Sequence, residues 1–180
     1  MLRVRELMQP DVVAVSPDLT LRELVEVFAE QGVSGAPVVA NSRVLGVIST
    51  TDILDFQEDN VGVSLGPRAP ADEPETGRRR RGAGTSEFFS ESWEPSEIDA
   101  LQWMRAARRG EWDILDQYSV ADLMTRDVLS LPSDTTVKKA ASIMLEAEVR
   151  RLLVIDGGEL QGIVTTTDIV RAVAEGKLKG

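Results

Sequence analysis

An internal repeat constrains this chain more than any other feature of its sequence. When the chain is shifted by 116 positions, residues 4–55 align with residues 120–171 without a gap. Fifteen of the 52 aligned positions are identical, and most of the others keep their polarity. In the first copy the identical positions are Val4, Leu7, Met8, Asp11, Val12, Asp18, Thr20, Glu30, Val33, Val38, Gly46, Thr50, Thr51, Asp52 and Ile53. Such self-similarity indicates duplication of one supersecondary unit.

Each copy predicts the order β-α-β-β-α after a short helical lead. The first copy predicts a lead at Val4–Met8, a β-rich run at Val12–Val15, a helix from Thr20 to Gly32, strands at Pro37–Val39 and Val44–Ile48, and a helix from Asp52. The second copy predicts Val120–Met124, Val128–Leu131, Val137–Glu148, Leu152–Ile155, Leu160–Val164 and a helix from Asp168. A unit of about 55 residues has a marginal core alone. We therefore expect an α+β fold of two repeats packed sheet to sheet with pseudo-twofold symmetry.

Local signals support these elements. Thr20 and Glu23 are spaced as a capping box, and Gly32 is a typical residue for a helix end. The two strands of the second copy flank Gly157-Gly158, which favours a tight hairpin, and those of the first flank Asn41-Ser42.

An insertion separates the copies, which gives a first repeat at 1–56, an insertion at 57–115 and a second repeat at 116–180. Its first part, Glu58–Pro95, is rich in Gly, Pro, Ser and charge and predicts a mobile loop. Its later part, Ser96–Arg109, predicts an amphipathic helix. That region, with Trp93, Trp103 and Trp112, could pack on the repeats or on a second copy of the chain, or could dock another protein. The arginines Arg78–Arg81 could contact phosphate or an anionic partner, but a solvated charge run is the preferred interpretation.

Composition narrows the function. The chain has no histidine and no cysteine, so the commonest general base, thiolate nucleophiles and the commonest transition-metal ligands are missing. No phosphate-binding glycine loop is present either, and we predict no catalytic residue, no metal site and no required cofactor. A net charge of −10 argues against nucleic acid as a partner. The sequence has no apolar run of membrane-spanning length and no apolar signal core behind Met1–Glu6, so we expect a cytoplasmic protein without membrane association.

Two short motifs resemble those of the CBS domain family. Gly46-Val47-Ile48-Ser49-Thr50-Thr51-Asp52 and Gly162-Ile163-Val164-Thr165-Thr166-Thr167-Asp168 are similar to its Gly-apolar-apolar-Ser/Thr-x-x-Asp signature. The segment Val33–Val39 resembles its second-strand pattern, and Leu7-Met8 and Leu123-Met124 resemble its lead-in. The resemblance covers about 110 of the 180 residues. It implies two clefts between paired repeats, in which one repeat supplies a ribose-binding Asp and the other supplies much of the adenine wall.

The resemblance also implies two sets of ligand-binding residues. The first set contains Met8, Val13, Val33, Ser34, Ala36, Ile163, Thr165, Thr167 and Asp168. The second contains Met124, Leu129, Val149, Val47, Ser49, Thr51 and Asp52. At the place where kinase gamma subunits of this family hold the phosphate with a His-Arg pair, this chain carries Arg150 and Arg151, and we assign them to the first set. The matching positions of the first repeat are Ser34 and Gly35, which carry no charge. We therefore expect the Asp168 site to bind nucleotide better than the Asp52 site.

Structural roles compete with these assignments. Asp52 and Asp168 could be helix N-caps, with Ser49 and Thr165 in the same capping chemistry. The two arginines could form surface ion pairs with Glu146 or Glu148, and Met8 and Met124 could be ordinary core residues.

The sequence thus predicts a regulatory module that binds an adenosine-containing nucleotide, such as AMP, ADP or ATP, and signals to a separate effector protein. The family resemblance also implies a homodimer formed through exposed helices. The alternative is a module for protein interaction or dimerisation that binds no small molecule and acts through the Trp-containing insertion.

Overall fold

The computed structural model describes residues 1–61, 86–90 and 113–177. The helices are α1 (Leu21–Gln31), α2 (Thr50–Val61), α3 (Glu87–Ser90), α4 (Val120–Leu123), α5 (Val137–Glu146) and α6 (Thr166–Ala174), with 3-10 turns at Val4–Glu6 and Asp113–Asp116. The strands are β1 (Gly35–Ala40), β2 (Arg43–Ser49), β3 (Ser130–Leu131), β4 (Arg151–Asp156) and β5 (Glu159–Thr165). The prediction of a mixed α+β fold built from two repeats is confirmed. Among the described helices, none is long and apolar enough to cross a bilayer.

The two hairpins have the same geometry. β1 pairs with β2 and β4 with β5, both antiparallel, and each hairpin has a register shift at the same place, after Val38 and after Val154. Their turns also match, because φ is positive at both central residues of each: 50° and 63° at Asn41 and Ser42, and 61° and 91° at Gly157 and Gly158. The duplication therefore extends to irregular features of the backbone.

In place of the expected sheet-to-sheet packing, the described strands of both repeats form one sheet in the order β1-β2-β5-β4-β3. The hairpins meet edge to edge near their turns, where Arg43 pairs with Glu159. The amide of Val44 also donates to the carbonyl of Gly158 at 3.3 Å.

The lead of each repeat packs against the other repeat. In the first lead, Val4 N–H donates to the Thr135 carbonyl at 2.8 Å, while Gln9 and Ile163 exchange two hydrogen bonds of 2.8 and 2.9 Å. The second lead repeats this pattern on the first repeat. There, Val120 N–H donates to the Leu19 carbonyl at 2.8 Å, and Thr125 and Val47 exchange two bonds of 2.9 Å. The leads therefore tie the repeats together by a symmetric exchange.

The two buried clusters show the same exchange, because each contains residues from the lead of the other repeat. One buried cluster contains α1 residues such as Leu21 and Leu24 together with Val120 and Leu123 of the second lead. The other contains Val4 of the first lead together with residues of β4 and α5.

Glycine is required where each lead crosses the opposite hairpin. A Cβ atom on Gly162 would lie 2.6 Å from the Gln9 carbonyl oxygen, and one on Gly46 would lie 2.6 Å from that of Thr125. Because backbone atoms cannot move away as a flexible side chain does, any larger residue would displace the lead. The first residue of each signature motif is thus explained by packing.

Several expectations need correction. The runs Val12–Val15 and Val128–Leu131 form little strand: Val15 makes one isolated bridge to Val38, and only Ser130–Leu131 joins the sheet. The helices expected from Asp52 and Asp168 begin two residues earlier, at Thr50 and Thr166.

The two described stretches of the expected loop Glu58–Pro95 contain helix instead. Its first residues continue α2 to Val61, and α3 lies within it at Glu87–Ser90. The predicted helix Ser96–Arg109, the three tryptophans and Arg78–Arg81 lie outside the described residues.

Candidate cleft between the repeats

The first candidate site centres on the junction of β5 and α6. Thr165 caps α6, and the carboxylate of Asp168 at the third helical position closes a capping box with it. Asp168 Oδ2 accepts hydrogen bonds from the Thr165 amide at 2.9 Å and from its hydroxyl at 2.7 Å. Asp168 is only 3% exposed. The N-cap interpretation of this Asp is therefore wrong, although the residue does stabilise the start of the helix.

The lead of the first repeat completes this site. Gln9 Nε2 donates to Asp168 Oδ1 at 3.1 Å, while Gln9 itself is exposed to solvent. Arg171, also largely exposed, makes a long contact of 3.4 Å with the same oxygen. The sulfur of Met8 lies 3.2 Å from where a Cβ atom on Gly162 would be, so Met8 packs beside β5. The structure thus brings Met8 of one repeat and Asp168 of the other to one junction.

Gln9 did not emerge from the sequence as a site residue. Its backbone position follows from the repeat, since it aligns with Thr125. Its hydrogen bond to Asp168 depends on the exchange of the leads, which no local pattern in the sequence reports. A polar residue directly after the Leu-Met of the lead was the available signal.

Most other residues of the first set are more accessible than Asp168. Half-buried positions in this set are Met8, Val13, Val33, Ser34, Ile163 and Thr165; Thr167 is exposed and Ala36 is buried. Half-buried apolar and hydroxyl side chains, combined with a buried carboxylate, would suit a ligand that is both planar and polar. The structure places Met8 and Thr165 at the junction with Asp168.

The second candidate site centres on the junction of β2 and α2. The amide and hydroxyl of Ser49 donate to Asp52 Oδ2 at 2.7 and 2.9 Å, which repeats the arrangement at Thr165. This site is more closed, because Val47, Ser49, Val149 and Met124 are all buried. Its remaining members, Leu129, Thr51 and Asp52, are half-buried.

The two arginines have different environments. Arg150 is exposed. Arg151 is buried, and its guanidinium carbon lies 5.3 Å from the ring centroid of Phe88, in cation–π range. In the described part of the chain, neither arginine forms an ion pair with Glu146 or Glu148, so that alternative is not observed. Arg151 pairs across the sheet with Thr165, which places the backbone of both arginines beside the Asp168 junction.

Helix α3 of the insertion enters the cleft. Phe88 and Phe89 are 2% and 0% exposed and belong to the same buried cluster as Val47 and Val149. The Phe89 carbonyl accepts a 2.7 Å hydrogen bond from the Arg150 amide. This contact was missed at the sequence level, where two adjacent phenylalanines in a Gly-, Pro- and charge-rich stretch were the available signal.

Comparison with known proteins agrees with this architecture. The family model of the CBS domain matches residues 4–59 and again residues 120–175. Among curated proteins, the chloroplastic CBS domain-containing protein CBSX1 of Arabidopsis thaliana is 29% identical over 94% of this chain. The uncharacterized protein MJ1232 of Methanocaldococcus jannaschii is 27% identical over 91% of it. The chain spans 62% of the length of CBSX1 and 37% of that of MJ1232.

Solved structures show the same fold. The crystal structure of CBSX2, an Arabidopsis thaliana protein, in complex with AMP has a TM-score of 0.60 at 24% identity and covers 98% of this chain and 99% of its own. The CBS domain pair of MJ0100, solved with 5′-methylthioadenosine and S-adenosyl-L-methionine, has a TM-score of 0.56 at 16% identity, with 97% of each chain covered. Two family matches, two repeats with matching hairpins and this shared fold lead to one conclusion: the chain belongs to the CBS domain family and carries the domain twice, in tandem.

Proposed function

We propose that this chain is a regulatory module that binds an adenosine-containing nucleotide beside Asp168 and reports that binding to a separate effector protein. The observation that carries this proposal is the buried carboxylate of Asp168, held by Thr165 of its own repeat and reached by Gln9 of the other. Two relatives of the same fold, CBSX2 and MJ0100, were solved with ligands that share an adenosine. We assign the repeats to 1–56 and 116–180, as the duplication suggests.

The ribose would bind by exchange of hydrogen-bond donors. An ionised carboxylate accepts about four hydrogen bonds, and Asp168 receives them from Thr165 twice and from Gln9 and Arg171 once each. The bonds from Thr165 are short and belong to the helix cap, whereas the other two come from exposed side chains. Two ribose hydroxyls would therefore replace Gln9 and Arg171 and leave the cap intact.

The adenine and the phosphate would use neighbouring residues. Met8, Val33 and Ile163 offer half-buried apolar surface to a planar ring. Arg150 is exposed at the same end of β4, so it is the cation we assign to the phosphate. Arg151 would reach a phosphate only by leaving the ring of Phe88.

Displacement of the Gln9 side chain from Asp168 by the nucleotide offers a way to transmit the signal. Gln9 is tied by two backbone hydrogen bonds to Ile163 of the other repeat. A ligand that displaces its side chain acts on the segment that links the repeats, and so favours a different relative position of the two. An effector that contacts both repeats would sense that change.

A homodimer is the assembly we propose. Exposed apolar side chains recur on the surface helices, namely Leu54 at 43%, Leu145 at 80%, Val170 at 66% and Val173 at 59% exposure. Leu54 and Val170 occupy equivalent positions of the two repeats. Burying these faces against a second copy removes apolar surface from water. Light scattering should give a mass twice that of the 19.7 kDa chain.

The direct test is calorimetric titration with AMP, ADP, ATP, NAD and S-adenosylmethionine. We expect binding of at least one of these, and its loss in Asp168→Ala. Asp52→Ala is the matched control, since it removes the equivalent carboxylate of the other repeat. Binding that survives Asp168→Ala and disappears in Asp52→Ala would contradict the assignment of the site.

A second candidate function is protein interaction without a small ligand. The observation that favours it is the burial of Phe88 and Phe89 between the repeats, where they occupy part of the cleft. Absence of heat with every ligand, from a folded sample that carries no nucleotide, would favour this alternative. CBS pairs are generally regulatory rather than catalytic modules, and we propose no enzymatic activity for either case.

A further inference from the structure

Helix α3 packs with buried residues assigned to the Asp52 half of the cleft. It contacts β2 of the first repeat, which carries Val47 and Ser49, and β4 of the second, which begins two residues after Val149. Phe88 and Phe89 share a buried cluster with Val47 and Val149, both members of the second candidate set. The two rings also pack edge to face, with centroids 5.0 Å apart.

The repeats are adapted to this helix by an asymmetry at one pair of equivalent positions. Gly35 and Arg151 occupy the same place in the two copies, at the start of β1 and of β4. A Cβ atom on Gly35 would lie 2.8 Å from Cδ2 of Phe88, so glycine leaves the space that the ring fills. On the other side the guanidinium of Arg151 lies over the same ring at 5.3 Å. Phe88 is therefore packed between one residue of each repeat.

A backbone hydrogen bond fixes the helix in register. The Arg150 amide donates to the carbonyl of Phe89 at 2.7 Å. Ser86 is also buried, and its hydroxyl accepts from the Phe88 amide at 3.3 Å. The two rings of this segment are thus buried, and the Ser86 hydroxyl, the Phe88 amide and the Phe89 carbonyl are hydrogen-bonded.

We propose that the segment Ser86–Ser90 is an intramolecular ligand that holds the Asp52 half of the cleft closed, so that the chain binds one adenosine ligand where its two repeats would otherwise accommodate two. This inference rests on the proposed function, because it concerns the number of nucleotides that the same cleft accepts. The Asp168 half is more open. Of the nine residues first predicted for it, besides the two arginines, six are half-buried, namely Met8, Val13, Val33, Ser34, Ile163 and Thr165.

The experiment compares AMP stoichiometry by calorimetry in the wild-type chain and in Phe88→Ala/Phe89→Ala. We expect one AMP per chain in the wild type and two in the variant. Adding Asp52→Ala to the variant should remove the second AMP and leave the first. Phe28→Ala is the matched control: it truncates a buried phenylalanine of α1 in the other cluster, and the stoichiometry should stay at one.

The outcomes separate this inference from the proposed function. One AMP in both proteins, or two in the wild type, would overturn the inference and leave the proposed function standing. No AMP in the wild type and one in the variant would support the inference and overturn the assignment to Asp168. No AMP in either protein would overturn both.

A second measurement keeps the test decisive if the double variant does not fold. Hydrogen exchange of the Arg150 amide in the wild-type chain reports directly on its bond to Phe89. When AMP fills the first site, we expect this amide to exchange within about twofold of its ligand-free rate, because the segment keeps its place while the nucleotide binds at Asp168. Exchange at least tenfold faster with one AMP bound per chain would overturn the inference, because the nucleotide would then have displaced the segment.

Discussion

At the scale of single residues, a side chain from the lead of the other repeat reaches the carboxylate of Asp168. Gln9 and Thr125 occupy equivalent positions and make equivalent backbone pairs, with Ile163 and with Val47. The longer amide side chain of Gln9 extends to Asp168 at 3.1 Å. Its amide group thus solvates the carboxylate in the absence of ligand and competes with any ribose hydroxyl for the same oxygen.

Removal of this competitor should strengthen binding. In Gln9→Ala the Asp168 carboxylate loses one donor, which a ribose hydroxyl can then replace at no cost. A hydrogen bond to a charged group contributes about 1.5 to 3 kcal/mol, so we expect AMP to bind roughly 10- to 150-fold more tightly. Thr125→Ala is the control and should change affinity little. Weaker binding in Gln9→Ala, measured by calorimetry, would instead identify Gln9 as a contact of the ligand.

Residue by residue, the sequence predicts the positions of the site better than their partners. The repeat and the two motifs locate Thr165 and Asp168 at a strand-to-helix junction, because local spacing determines a capping box. The bonds from Gln9 and Arg171 and the ring of Phe88 against Arg151 depend on tertiary packing. No periodicity in the chain encodes which lead crosses which hairpin.

At the scale of elements, the ends of α1 and α5 show how equivalent positions use different residues. Gly32 follows α1 with φ 64°, and the equivalent Glu148 follows α5 with φ 55°. The next residue in each copy makes the same hydrogen bond back to the helix. Val33 N–H donates to the Phe28 carbonyl at 3.0 Å, and Val149 N–H donates to the Met144 carbonyl at 2.9 Å. The helix ends alike in both copies, although only one copy has the glycine that this conformation favours.

Glu148→Gly should therefore stabilise the protein. A left-handed conformation costs an ordinary L-residue roughly 1 kcal/mol relative to glycine, partly offset by the greater entropy of glycine in the unfolded chain. We expect the free energy of unfolding to rise by about 0.5 to 1 kcal/mol, measured by urea denaturation. The converse change, Gly32→Ala, should lower it by a similar amount. A loss of stability in Glu148→Gly would show that the Glu148 side chain contributes more than its backbone costs.

Elements of the insertion were the least predictable. Composition favoured a loop across Glu58–Pro95, yet α3 lies within it, buried between the repeats. A helix of four residues has little intrinsic stability, so its formation depends on the burial of Phe88 and Phe89. Composition is averaged over a long stretch of sequence, so it does not reveal that Phe88 and Phe89 pack against distant parts of the chain.

At the scale of the whole molecule, the exchanged leads make the two repeats one folding unit. Val4 is fully buried in the cluster of the second repeat, and Val120 is fully buried in that of the first. An isolated repeat would lack the lead that normally crosses its hairpin. Its own lead would also have no hairpin to form hydrogen bonds with. The physical consequence is that neither half can unfold while the other keeps its complete core.

Val4→Ala and Val120→Ala test this directly. Each removes two buried methyl groups at equivalent positions and should cost about 2 kcal/mol. Because the repeats are coupled, we expect each variant to shift one cooperative melting transition down by about 4 to 8 °C, with equal calorimetric and van't Hoff enthalpies. Independent repeats would instead give two transitions, of which Val4→Ala would move one and Val120→Ala the other. A single shared transition would also explain how a ligand at one junction acts on both repeats, because the segment it contacts belongs to both cores.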